Sequence, residues 1–281
     1  MMTFEDIVQS IEVLPPLSNV VFEIQDLYSG GDDEVDVKKL IKLIESDVTL
    51  TADVLKFVNA PKYGFSKKIS SVSQAVTLLG TEIIYGTVVN NAISKAIKSN
   101  PTAYGITSIQ FNDMCHLQSA LIFQWYSYVD ARDAQFLTPL ALIMEIGKLI
   151  ISKEVKASDY GIKFRRGLAE TDNVAQYEYS LFDTTSYQVS AMLFKHWNID
   201  KIFVEILYKI DFEDKKANKK VAYYRDILDV IRTAINVKSI LSNKSIEEAS
   251  ELVDELGFNS ERFRHIALRL KKHYEQSKGL A

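Results

Sequence analysis

Residues 46–80, SDVTLTADVLKFVNAPKYGFSKKISSVSQAVTLLG, leave room for little besides a helix, a stiff loop and a second helix. Asp47 has the chemistry of an N-cap, because its carboxylate can accept from N–H groups that a first turn leaves free. Leu50, Val54, Phe57 and Val58 follow at i, i+4, i+7 and i+8, one stripe of a helix. Asn59-Ala60-Pro61 closes it, since proline disfavours helical geometry in the residue before it. Residues 62–68 form a short loop tipped by Tyr63, Gly64 and Phe65, in which the aromatics anchor and the lysines solvate. Ser71 or Ser73 then caps a helix with Val72, Val76 and Leu79 on one face, and Gly80 stops it.

The same alternation of caps and helical stripes runs along the chain. Thr3 caps a helix over 4–13 whose apolar face is Phe4, Ile7, Val8 and Ile11, and Pro15-Pro16 breaks it. Ser18 caps the next, with Val20, Val21, Ile24 and Leu27 inward; residues 29–33 read as a polar loop. Asp36 caps a helix burying Val37, Leu40, Ile41 and Ile44, and Thr81 starts another through Ile83, Ile84, Val88 and Ile93. Asn100-Pro101 closes a first lobe, residues 1–106.

A second lobe, 107–212, opens with one long helix over 109–129. Pro139 is expected in the first turn of the next, where a missing N–H costs nothing. That helix reads LALIMEIGKLIISKE, apolar almost all round and therefore buried. Helices over 175–181, 186–197 and 201–210 follow. The charged run over 211–220, DFEDKKANKK, reads as solvated, and a C-terminal extension, 213–281, carries helices over 222–241, 245–256 and 260–277. No stretch alternates convincingly with period two, so the expected fold is all-α, two helical lobes followed by a helical tail.

Bulk numbers exclude several function classes. The 281 residues carry 33 basic against 37 acidic side chains, a net charge of -4. That balance lacks the clustered Lys and Arg on which nucleic-acid binding leans, so no nucleic-acid partner is expected. The basic residues over 262–272 spread around a helix as a solvated face. A single cysteine, Cys115, excludes an intramolecular disulfide. MMTFEDIVQS has no apolar h-region, and no uncharged apolar run approaches bilayer length, so the expectation is a cytoplasmic protein without membrane insertion.

The order D-x-x-L-T-x-x-x-L-K-x-x-N-A-x-x-Y-G from Asp47, then I-S-S-V-x-x-A-V-x-x-L-G from Ile69, resembles the HDOD domain, the output-domain relative of the HD metal phosphohydrolases. Leu14-Pro15-Pro16-Leu17 looks like that family's L-P-x-L opening, and the resemblance runs from about Leu14 to about Asp211. It implies an HD-like helical domain and a role in bacterial signal transduction.

The metal-dependent relatives hold divalent ions with histidines and an adjacent His-Asp pair, which lowers the pKa of bound water and polarises phosphate. The phrase L-L-H-D-I-G-K-L, where that pair sits, corresponds here to residues 142–149, so Met144 stands for the histidine and Glu145 for the aspartate. An upstream histidine position falls at Cys115 or His116, a later one near Ser186, and paired histidines at about Ile210 and Asp211. A thioether is a poor ligand for hard cations, so neither metal nor cofactor is expected. Glu145 on an apolar helix must be paired or protonated, and Lys148, three residues on, is its natural partner. Cys115, His116, Met144, Glu145, Ser186 and Asp211 remain as the remnant of a cleft.

The leading expectation is a non-catalytic signalling module that acts on a protein partner or a nucleotide-type ligand. The alternative is a residual phosphohydrolase using Glu145, His116, Ser186 and Asp211 around a rebuilt site. A helix-turn-helix is a poor third, because a turn of about three or four residues is expected there and residues 59–71 are far longer.

Overall fold

The computed structural model describes residues 3–28, 35–63, 65, 67–212 and 218–279. The polar loop over 29–33, Gly64 and Ser66 of the aromatic loop, and most of the charged run near 213 lie outside the described residues. Within them the chain is helical throughout, relieved only by an isolated bridge between Ile235 and Ile240.

The first helices form where caps and stripes coincide. They are α1 (Phe4–Glu12), α2 (Asn19–Asp26), α3 (Val37–Glu45), α4 (Val48–Val58), α5 (Val72–Leu79) and α6 (Thr81–Ile97). Thr3 closes a reciprocal capping box with Asp6; Asp36, Asp47 and Ser71 each accept from the N–H three residues on. Ser18 stands at its N-cap position without such a bond. Leu50, Val54, Phe57 and Val58 are all buried, whereas Val37 and Phe4 stay exposed at their helix starts. Asp47→Ala is expected to cost about 1 kcal/mol, the usual worth of a cap, read as a lowered urea midpoint with unchanged slope.

The opening phrase is tied to the far end of the second half. The Trp197 indole N–H donates to the Pro15 carbonyl at 3.1 Å, Gln25 Nε2 donates to the Trp197 carbonyl at 3.2 Å, and α1 packs on later helices.

Next come α7 (Ser108–Leu121), α8 (Ala131–Ile143), α9 (Gly147–Ala157), α10 (Gly161–Glu170), α11 (Val174–Phe182), α12 (Ser186–His196) and α13 (Lys201–Lys209). Three expectations need correction here. The helix expected over 109–129 gives way at Ile122–Tyr126 to a π-helical turn, whose extra residue per turn lets Trp125 and Tyr126 both point inward. Pro139 lies inside α8 rather than in its first turn, because the helix already starts at its Asp130 cap. The ring nests on Gly86 of α6, where a Cβ would lie 2.2 Å from Pro139 Cβ, so glycine is what permits this approach. The apolar run after Pro139 is two helices, α8 and α9, separated by a turn at residues 144–146. Helix α10 had no counterpart in the sequence reading.

Residues 131–157 are long and apolar enough to cross a membrane by length and composition, but 89% of the most apolar window is buried against other helices. α6 packs on α8, and α12 packs on both α9 and α13, so the run forms the centre of the core.

The extension adds α14 (Lys219–Ala234), α15 (Asn243–Glu255) and α16 (Ser260–Ser277). α14 ends at Ala234 rather than near residue 241, where Ile235 turns extended and Leu241 adopts φ +54°. α16 lies on α7 and the π-helical turn, with Phe263 edge-on to Trp125 at 5.0 Å between ring centres. Its basic side chains reach neighbours: Arg264 meets Glu247, Arg269 meets Gln124, and Arg262 covers the Tyr128 ring.

Candidate functional site

The turn joining α8 to α9 carries Met144, Glu145 and Ile146, and the first turn of α9 adds Gly147 and Lys148. Gly147 donates its N–H to Ser190 Oγ at 2.8 Å, and that hydroxyl donates to the Met144 carbonyl at 2.7 Å. With no Cβ at 147, α9 lies directly against the start of α12, and Lys148 comes under Ser186 and Tyr187.

Glu145 is fully buried. Its Oε1 accepts from Gln118 Nε2 and from the Tyr187 hydroxyl, both at 2.9 Å, and its Oε2 lies 2.5 Å from Lys148 Nζ. Lys148 also donates to Ser186 Oγ at 2.8 Å and stands 4.5 Å from the centre of the Tyr187 ring. The second buried carboxylate, Glu178, accepts from the Ser186 N–H and the Tyr104 hydroxyl, each at 2.6 Å. Burial alone pushes Glu145 upward, but the Lys148 ammonium and the hydrogen bonds from Lys148, Gln118 and Tyr187 reverse this and hold it below the usual carboxylate range. Burial opposes the charge on Lys148 too, yet Glu145 and then Glu178 hold it above its ordinary value. For Glu178 burial wins over Lys148 and the hydrogen bonds, so its carboxyl is raised.

The extension completes this network. Gln118 Nε2 bridges Glu145 to the Ile235 carbonyl, the latter at 2.9 Å. Arg232 of α14 pairs with Asp211, donates to the Ile210 carbonyl at 3.0 Å, and lies over the Tyr187 ring. Between α11, α12 and the α14–α15 connection opens a cavity of about 820 Å³ whose floor includes Lys148, Tyr187, Asp211 and Arg232.

The expected residues divide. Glu145 and Ser186 meet through Lys148, and Asp211 joins them through Arg232 and Tyr187. Met144 is buried and contributes its carbonyl. Cys115 is buried, and burial followed by the nearby Glu145 pushes its thiol up, which disfavours a thiolate. His116 lies elsewhere, beside Phe57 in a separate cavity of about 430 Å³, with its Nδ1 unpartnered. Burial and then Lys62 push its pKa down to about 3, so the ring is neutral.

Gln118, Tyr187, Glu178, Tyr104 and Arg232 escaped the sequence reading. Glu178 left a signal, since it sits four residues before the buried Phe182 on the inward stripe of α11. Gln118 falls four residues after Met114 on the buried face of α7. Arg232 left none, because α14 lies beyond the stretch that carries the resemblance.

The donor set does not fit a divalent metal. Both oxygens of Glu145 are engaged by an ammonium, an amide and a phenol, and no imidazole joins them. Among the described residues no three His, Cys, Asp or Glu side chains are arranged to hold an ion.

The family model described as the HDOD domain matches residues 14–211. A Shewanella amazonensis SB2B protein that carries a provisional phosphohydrolase name is 18% identical, with a TM-score of 0.69 and 98% of each chain covered. An HDOD domain protein with unknown function from Geobacter sulfurreducens is 18% identical, with a TM-score of 0.61 over 94% of this chain and 90% of that one. A virulence factor from Campylobacter jejuni subsp. jejuni is 24% identical, with a TM-score of 0.55 over 92% and 94%. At these identities the likeness shows the fold. An uncharacterized protein of Treponema pallidum (strain Nichols) is 34% identical over 74 residues, which is 26% of this chain and only 14% of that protein.

Proposed function

The chain belongs to the HDOD domain family, and we propose that it is a non-catalytic regulatory module of signal transduction, acting by binding a protein partner or a small ligand. The observation that carries this reading is the missing imidazole: the buried Met144 stands where the metal-dependent relatives place the histidine of their His-Asp pair, and the adjacent Glu145 is held by Lys148 at 2.5 Å. An ammonium supplied by the chain itself balances the carboxylate at Oε2, while Gln118 and Tyr187 both donate to Oε1. With Met144 in place of the imidazole, this carboxylate lacks the neighbouring donor with which a divalent ion would be held and its bound water activated.

Buried ion pairs add little net stability but can fix one arrangement of the helices around them. Here that arrangement includes the extension, through Gln118 to Ile235 and Asp211 to Arg232. Such a network gives the module a defined position of α14 for a partner to recognise or change.

Elemental mass spectrometry on protein purified without chelators, then exposed to manganese, iron or zinc, is expected to find well under one equivalent of metal. Phosphate release from a panel of nucleotides is expected to stay at the buffer rate. Stoichiometric metal that disappears in Glu145→Ala, accompanied by turnover, would overturn the reading.

A further inference from the structure

We propose that the cavity of about 430 Å³ between α4, α6 and α7 binds a neutral heterocyclic base, free or as its nucleoside. This names a small ligand for the regulatory module argued above and rests on that reading for its purpose, although the cavity shares no lining residue with the Glu145 network. The volume lies within the range of small-molecule sites, roughly 300–1,000 Å³.

Helix α6 breaks its own pattern here. It is apolar for most of its length, yet Thr87, Asn90, Asn91 and Ser94 fall at i, i+3, i+4 and i+7, one polar stripe, and all four line the cavity. Asparagine suits a helix interior poorly, because its amide competes for backbone groups. Asn90 and Asn91 lie more than one turn from either end of α6, so neither caps it. Both are part-buried, and neither side chain has a hydrogen-bond partner among the described residues. A helix preference broken twice in succession, with no internal bond in return, is the mark of a functional surface.

A second wall comes from α7, where Asn112 and His116 stand one turn apart. The Asn112 amide is also without a partner among the described residues. The neutral His116 ring has its Nδ1 closed off with no partner. A bare lone pair is cheaper to enclose than an N–H, so the proton belongs on Nε2, the nitrogen left open to donate. Phe57, tilted against His116 at 5.0 Å between ring centres, and Ile109 add flat and apolar surface to the lining.

The charges around the cavity favour a neutral ligand. Asp53 is held by Lys95 at 2.8 Å, and Asp113 by Lys62 at 3.3 Å and Lys278 at 2.7 Å. Lys56 is the one lining cation without a carboxylate among the described residues, and it is exposed. Carboxylates so engaged also count against a free sugar, whose vicinal hydroxyls are held best by an unpaired carboxylate. What remains are neutral donors and acceptors. Each amide presents an NH2 beside a C=O, the complement of the donor–acceptor edge of a base.

Isothermal titration calorimetry on the full chain with the four ribonucleosides, with adenine and uracil, and with ribose and glucose tests this, with product analysis of the same samples. At least one nucleoside or base is expected to bind, and the comparison of free base with nucleoside tells whether ribose belongs to the ligand. Asn90→Ala, Asn91→Ala and His116→Phe are each expected to weaken that binding at least tenfold. The two alanine variants should unfold at the same or a higher urea concentration than the parent, since each removes an unpaired asparagine from a helix. A lowered midpoint in both would make the asparagines structural and overturn the site. Binding of a sugar without any base would overturn the class of ligand. No binding at all, or binding indifferent to all three substitutions, would overturn the site while leaving the non-catalytic reading standing. Binding with cleavage of the nucleoside would keep the site and sink the non-catalytic reading.

Discussion

Gly147→Ala is expected to destabilise the protein by about 3 kcal/mol, the upper end for an overpacked core. The added methyl would lie 2.0 Å from the Ser186 carbonyl oxygen, 2.7 Å from the Ser190 nitrogen and 2.9 Å from Ser190 Oγ. Two of these are backbone atoms of α12, so no rotamer change relieves the contact, and α9 and α12 must separate. Separation would lengthen the bond from the Gly147 N–H to Ser190 and draw Lys148 away from Ser186. The measurement is a urea transition with fitted slope, since a shift of midpoint at constant slope isolates stability. Gly161→Ala is the control: its nearest neighbour would be the Val155 carbonyl at 4.0 Å, and a change within about 0.5 kcal/mol is expected. Equal midpoints for the two variants would mean that α9 and α12 do not lie as close as described.

The local architecture was legible wherever a cap coincided with a stripe. Asp47 with Leu50, Val54, Phe57 and Val58, or Asp36 with Leu40 and Ile44, could be read directly because both signals depend on residues within one or two turns. Pro139 misled for the opposite reason. Its tolerance inside α8 depends on Gly86 in a different helix, a contact that no local pattern announces. The π-helical turn at Ile122–Tyr126 is likewise a response to packing, with Trp125 meeting Phe263 and Phe258 from the extension.

The site was half legible. The sequence placed Glu145 and Lys148 three residues apart and required the carboxylate to have a partner, which burial then enforces. Ser186 and Asp211 came from the family resemblance, and both border the same network, although Asp211 serves there as the partner of Arg232. His116 was offered as an alternative to Cys115 across a single residue of register. On a helix that step turns a side chain through about 100°, and it separates the core position of Cys115 from the second cavity. The role of the extension could not be read at all, since it lies beyond the stretch that carries the resemblance and its tie to Glu145 runs through Gln118, 117 residues before Ile235.

Lys148→Met should cost about 3–5 kcal/mol at neutral pH, the penalty for stranding a buried charge. Methionine keeps most of the volume, so the loss comes from Glu145, which retains Gln118 and Tyr187 but no cation. The pH dependence separates this cause from a packing defect. In the native protein Glu145 is held below its unfolded value, so its stabilisation is present above about pH 4.3 and fades as pH falls through the lower folded value. Without the ammonium the upward push of burial is unopposed, so the folded value rises above the unfolded one and the variant loses stability as pH climbs through it. The gap between native and variant should therefore narrow steadily from neutral pH toward pH 4. Adding Glu145→Gln to Lys148→Met removes that stranded charge, and the double variant is expected to recover most of the loss and to show a flatter gap across the same range, its residual pH dependence coming from Glu178, which also faces Lys148. Urea midpoints of the four proteins at several pH values close the cycle. A Lys148→Met defect that is independent of pH, and not relieved by Glu145→Gln, would show that the ammonium matters through its packing and not as the counter-charge of Glu145.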